Sequence, residues 1–194
     1  MSRVGLLAVV AAVFGSLSCG ASGSPDVESV HYVGSAGTDG SRVVFVPAAP
    51  SPLFYVCGTG PDLAVTTHWF APTFASSTLS ATDGGWKLSG RWDGVRYAGQ
   101  LTRPDGSTHD WSATPVTETD PAGLYSHSDD AGRTGVIVIS GSSLSAQGAW
   151  LGSGNYAAAT PLKALERTRN AFDVNIALST GAKTVRVKRV NGFQ

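Results

Sequence analysis

Trp86-Lys87-Leu88-Ser89-Gly90-Arg91-Trp92-Asp93-Gly94-Val95-Arg96-Tyr97-Ala98-Gly99-Gln100-Leu101-Thr102 is the stretch from which the fold is read. Trp86, Leu88 and Trp92 share one parity, with Gly90 between the last two. After Asp93-Gly94, Val95, Tyr97 and Leu101 share theirs. A period of two is the pattern of a strand with one buried face. Asp-Gly between two such runs signals a hairpin, because a type I′ turn needs positive φ at both central residues. The same grammar continues outward on both sides. Thr78–Thr82 precedes Asp83-Gly84-Gly85, and Ser107–Thr114 follows Pro104-Asp105-Gly106.

Further strands are expected at Val27–Ser35, Arg42–Ala48, Leu53–Cys57 and Val65–Phe70. A second series covers Ala122–His127, Thr134–Ser140, Leu144–Leu151, Phe172–Ser179 and Thr184–Val190. Thr160-Pro161 reads as an N-cap followed by proline at the first helical position, predicting a short helix that ends near Asn170. The fold class is therefore all-β: an antiparallel meander closing into a barrel-like or sandwich domain, with one short C-terminal helix before a final hairpin. His31–Cys57 and Gly123–Trp150 echo each other faintly, each being a strand, a glycine-containing turn, a valine-rich strand and a third strand.

Of 194 residues only 14% are charged, 14 basic against 14 acidic. So low a charge density disfavours coiled coils and charge-rich disorder, and zero net charge disfavours a generic nucleic-acid binder. Two cysteines cannot staple a disulfide-dense scaffold. Basic residues are concentrated after Leu162: Lys163, Arg167, Arg169, Lys183, Arg186, Lys188 and Arg189 face only Glu166 and Asp173. Such an end suits anionic headgroups or wall polymers, but pairing with acids on neighbouring strands is the favoured reading.

The N-terminus has the three parts of an export signal: Arg3, the apolar run Val4 to Leu17, and small residues from Ser18. That run is too short for a membrane-spanning helix, which needs about 18 or more apolar residues. Residues 1–18 are read as signal peptide, 19–26 as tether, and 27–194 as a single β-rich domain. Leu17-Ser18-Cys19-Gly20 approximates a lipobox, although Ser16 stands where leucine is usual. Cys19 is thus the expected lipidation site, holding the domain on the outer face of the cell membrane. Cleavage near Ala21 with free secretion is the alternative. Cys57, in an apolar strand, is expected to be a buried and inert thiol.

Catalytic signals are absent. His31, His68, His109 and His127 show no metal-ligand spacing, and Gly141-Ser142-Ser143 lacks the trailing glycine of a nucleophile elbow. No catalytic residue, metal ligand or cofactor is assigned. Asp129-Asp130 reads as a polar turn before it reads as a calcium site. Trp86, Trp92, Trp111 and Tyr97 are the candidate binding residues, for a small apolar ligand, although core packing explains their parity more simply. The expected function is an exported, lipid-anchored binding or interaction module whose partner is a small apolar ligand or another envelope protein. A structural β-domain with a filled core, or a hydrolase with an unrecognised site, are the alternatives.

His31-Tyr32-Val33-Gly34, Gly37-Thr38-Asp39, Tyr55-Val56-Cys57 and Trp69-Phe70 carry a resemblance. With Leu88-Ser89-Gly90, Asp105-Gly106, His109 and Ala122-Gly123-Leu124-Tyr125, the region 30–151 resembles a β-rich domain of exported proteins and lipoproteins from high-GC Gram-positive bacteria. The resemblance implies an address and a fold, and supplies no catalytic residues.

Overall fold

A computed structural model of the chain describes residues 31–48, 51–166 and 170–190. The signal segment, the tether and Cys19 lie outside the described residues. The strands are β1 (His31–Ala36), β2 (Ser41–Val46), β3 (Leu53–Cys57), β4 (His68–Phe70), β5 (Thr73–Ala75), β6 (Thr78–Asp83), β7 (Trp86–Trp92) and β8 (Tyr97–Thr102). They continue with β9 (Thr108–Val116), β10 (Gly123–Asp129), β11 (Gly132–Ile139), β12 (Ser145–Gly152), β13 (Asn155–Pro161), β14 (Ala171–Leu178) and β15 (Gly181–Arg189). One helical turn, α1 (Leu63–Thr66), lies between β3 and β4.

The all-β meander is borne out, and it forms two sheets. The first has nine strands in the order β4-β3-β2-β1-β9-β8-β7-β6-β5. Its edge strands β4 and β5 are neighbours in the chain but do not pair. Ring contacts span that seam instead: Phe70 and His68 of β4 lie against Trp86 of β7, and Phe45 of β2 meets Phe74 of β5. The second sheet, β10 to β15, is a closed six-stranded barrel. It closes through Tyr125 opposite Arg189 and Ser126 opposite Lys188.

Three apolar layers follow from this topology. Aromatic side chains fill the curl of the first sheet. Val136, Val138, Val174, Ile176, Val185 and Val187, with Tyr125 and Trp150, fill the barrel. Between the two lies a third layer, in which Val33, Val44, Val46, Tyr55 and Cys57 meet Ala122, Leu124, Ile137 and Ala149. Val43 and Phe45 point into the curl while Val44 and Val46 point to the barrel. Burial on both faces is why β2 and β3 read as unbroken apolar runs rather than alternating ones. The two echoing segments are the ones that face each other across this layer.

Local differences have local causes. Asp83 and Trp86 pair across Gly84 and Gly85, both at positive φ, so the expected tight turn is present. At β7–β8 the loop is longer. The Asp93 carboxylate accepts the Val95 and Arg96 amides, leaving Val95 at the tip, 71% exposed, rather than on the buried face. Ala75 pairs with Thr78 across Ser76 and Ser77, at φ 48° and 70°. This hairpin has no Gly or Asn to announce it. The helix expected from Thr160-Pro161 is corrected. Those residues end strand β13, 162–166 are not helical, and 167–169 lie outside the described residues. The strand expected over Val65–Phe70 begins only at His68, because Leu63–Thr66 turn as α1.

Candidate functional site

The structure places Trp86, Trp92, Trp111 and Tyr97 in the core of the curl, but of the four only Trp92 and Tyr97 meet, while Trp86 stands at the other end against His68 and Phe70. Trp86, Trp111 and Tyr97 are buried, and only Trp92 keeps a partly exposed edge. The Tyr97 ring sits edge-on to Tyr32 and Phe45, at 4.8 and 5.1 Å between centroids, and 5.2 Å from Trp92. Trp111 packs on Phe54 and donates its Nε1–H to the Ser89 carbonyl at 2.9 Å. Its ring lies over Gly90, where an added Cβ would stand 2.3 Å from the indole. These rings pack against neighbouring aromatic side chains and fill the space between the strands. Burial raises the Tyr97 phenol to about 12, and its hydroxyl has no hydrogen-bond partner among the described residues. Such a group is a packing element rather than an acid or base at neutral pH.

The histidines are dispersed. His31 is fully buried between the sheets. With Nε2 protonated, it donates to the Val190 carbonyl at 2.6 Å and accepts the Leu124 amide on Nδ1 at 3.0 Å. Gly123 lies so close that an added Cβ would be 1.9 Å from Nδ1. Burial pushes the ring pKa down, the Val190 bond opposes this, and Arg189 adds to the depression, leaving about 4. His31 is therefore a neutral staple. His68 stacks on Trp86 and reaches Asp83. His109 Nε2 lies 3.2 Å from Ser107 Oγ, but among the described residues no carboxylate hydrogen-bonds the ring; Asp105 accepts the Ser107 amide. A triad needs that orienting acid.

Among the described residues no group of His, Cys, Asp and Glu could hold a metal ion. Asp129 is occupied by His127, Lys183 and the amides of its own turn. Cys57 is buried, its thiol raised by burial to about 11, and so inert. Two cations of the basic C-terminal strand pair with acids of neighbouring strands, and a third binds backbone carbonyls. Arg186 binds both oxygens of Asp173, Lys183 binds Asp129, and Arg189 donates to the Glu118 and Ala122 carbonyls.

With both interiors filled, the candidate site lies at one end of the barrel. There a cleft of about 100 Å³ has a floor of Tyr125, Val138, Leu144, Leu165 and Phe172 and a rim of Lys163, Glu166, Asp173 and Arg186. The linker after β9 frames it. Asp120 accepts the Ala122 amide and the Ser140 hydroxyl, and Tyr125 Oη donates to the Pro121 carbonyl at 3.0 Å. The Tyr125 and Phe172 rings are 4.9 Å apart. Opposite them, the Leu162 amide donates to the Asp173 carbonyl at 3.0 Å, placing the half-exposed Leu162 and then Lys163 at the rim. Lys163 has no ion pair among the described residues. An apolar floor beside one uncommitted cation suits a small apolar group bearing an acidic or polar end.

None of these lining residues had been singled out as binding residues from sequence. The helix predicted from Thr160-Pro161 would run through Leu162, Ala164 and Leu165. Their interleaving with Lys163 and Glu166 fits an irregular rim equally well, and only the fold separates the two. Comparison with protein-family models, curated proteins and solved structures found no match to this chain.

Proposed function

We propose that this chain is an exported bacterial envelope protein, lipid-anchored through Cys19, that acts as a binding module. Its ligand site is the cleft at the barrel end, not the aromatic curl. Support for export comes from the charged, apolar and small-residue order of residues 1–21 and the position of Cys19. The observation that carries the binding reading is the cleft itself: its lining joins the partly exposed Leu144, Leu165 and Phe172 to the buried Tyr125 and Val138 beside Lys163, while both interiors are filled with side chains. The ligand class is a small molecule with an apolar body and an acidic or polar end.

The test compares native and denatured intact masses of protein gently purified from a bacterial host. A diacylated Cys19 and an extra mass present only in the native spectrum are expected, with Lys163→Glu losing that extra mass. Equal native and denatured masses at high protein concentration overturn the ligand reading and favour a filled structural domain. Cys19→Ala should move the protein from membrane to medium, and unchanged retention overturns the anchor.

A further inference from the structure

The register gives the first sheet two distinct ends. His31, Val46, Leu53, Phe70, Thr78, Trp92, Tyr97 and Val116 lie at one end, because β1 pairs with β2 and β9, and the remaining pairs carry the register outward. Ala36, Ser41, Cys57, Asp83, Trp86, Thr102 and Thr108 lie at the other. The end holding His31 is here called the near end, since the chain from Cys19 arrives there.

The near end exposes apolar side chains beside the polar turn residues Ser76, Ser77, Asp93 and Arg96. Phe74 and Trp92 plug the mouth of the curl while staying partly exposed, and Val95 projects beside them, 71% exposed. Tryptophan at such a boundary, with one edge in an apolar core and one in water, is the residue favoured at a membrane surface. The near-end charges balance: Arg91, Arg96 and Arg189 against Asp93, Glu118 and Asp120. The far end is acidic, with Asp39, Asp62, Asp83, Asp105 and Asp110 outnumbering Arg42, Lys87 and Arg103. An anionic surface repels the second end and tolerates the first.

His31 is twelve positions after Cys19, so the connecting chain reaches at most about 40 Å when fully extended. A body held by so short a lead meets the bilayer repeatedly, and at high effective concentration even a small apolar contact is populated. We propose that the near end of the first sheet, through the Ala75–Thr78 and Trp92–Tyr97 hairpin tips, docks on the lipid surface. The proposal rests on the anchoring of Cys19. The cleft then opens beside the docked end, because Pro121 and Tyr125 of its wall flank Leu124, whose amide binds His31.

The test uses the processed chain beginning at Cys19, coupled through that thiol to a maleimide-headed lipid in phosphatidylcholine vesicles containing some phosphatidylglycerol. Buried Cys57 does not compete for the coupling, and the tether holds whether or not cells acylate Cys19. Hydrogen exchange read by mass spectrometry is then compared with that of the free protein. Exchange at 75–78 and 92–97 should slow by about threefold or more on vesicles, with 37–40 and 103–107 unchanged, and Val95→Asp should restore the free rate. Equal rates at both ends, or slowing at the far end, overturn the proposal. Slowing at the tips that appears equally without vesicles at the same protein concentration also overturns it, in favour of contact between copies. Failure of natural anchoring shows separately, as Cys19→Ala protein that stays with the membrane.

Discussion

The two sheets solve the same problem with different side chains. The nine-stranded sheet wraps Tyr32, Phe45, Phe54, Phe70, Trp86, Tyr97 and Trp111, and it leaves its edge strands β4 and β5 unpaired with each other. The six-stranded sheet wraps mostly Val, Ile and Ala, and it closes by hydrogen bonds. Diameter grows with strand number, and the interior must be filled. Rings fill a wide curl and hold its edges apart, whereas a narrow barrel accommodates small branched residues and lets its edges meet. Stability in the first sheet should therefore depend on individual rings, and in the second on a continuous ladder.

That contrast breaks most directly in paired truncations. Phe45→Ala should destabilise by about 4 kcal/mol, and Ile176→Val in the barrel by about 1 kcal/mol. Urea denaturation of both variants checks this, and similar losses would erase the distinction. Next in size is acid sensitivity of the layer between the sheets. His31 is held near 4 against 6.5 when unfolded, so the unfolded chain takes up a proton first. Its contribution is fully present above pH 6.5 and is lost as pH falls toward 4, amounting to about 3 kcal/mol. Stability measured against pH should show this slope in the native chain and not in His31→Gln.

The opposite end behaves differently. Burial disfavours the Asp39 charge, but bonds from Arg103 and Ser41 outweigh it and hold the carboxyl at about 2. Its contribution persists above pH 3.8 and fades only below, so the two windows do not overlap. Smaller still, Tyr55→Phe removes the hydroxyl that donates to the Gly135 carbonyl across the layer, costing about 1 kcal/mol in thermal or chemical unfolding. Arg133→Ala removes the guanidinium stacked 3.5 Å above Trp69 and should cost about 0.5–1 kcal/mol. A thiol reagent should leave Cys57 unmodified in all folded variants and label it as the sheets separate.

Much of the fold was legible because its signals are local. The alternation of Trp86, Leu88 and Trp92 against Lys87, Ser89 and Arg91 matches their burial, and Gly84-Gly85 turns as expected. The misses share a cause. The Ser76-Ser77 turn adopts positive φ without a residue that favours it. Strand β13 is built on Ala157 and Ala159, poor strand formers tolerated because the barrel interior is narrow there. Thr160-Pro161 carries helix-start chemistry, but the pairing of β13 with β14 overrides it. The aromatic residues named as candidate ligand contacts belong to one core, yet parity cannot tell a packed interior from a lined cavity.

Residue order alone determined the all-β class, the hairpins that carry their own turn residues, the inert character of Cys57, and the export-like pattern around Cys19. These depend on neighbours within a few positions. Tertiary structure decided that the meander divides into an open sheet and a closed barrel, that β2 and β3 are buried on both faces, and that His31 joins the two bodies. It also decided that the accessible apolar surface lies at a barrel mouth and two hairpin tips. Those outcomes depend on the volume of side chains from distant strands meeting in one interior, a quantity that no local pattern contains.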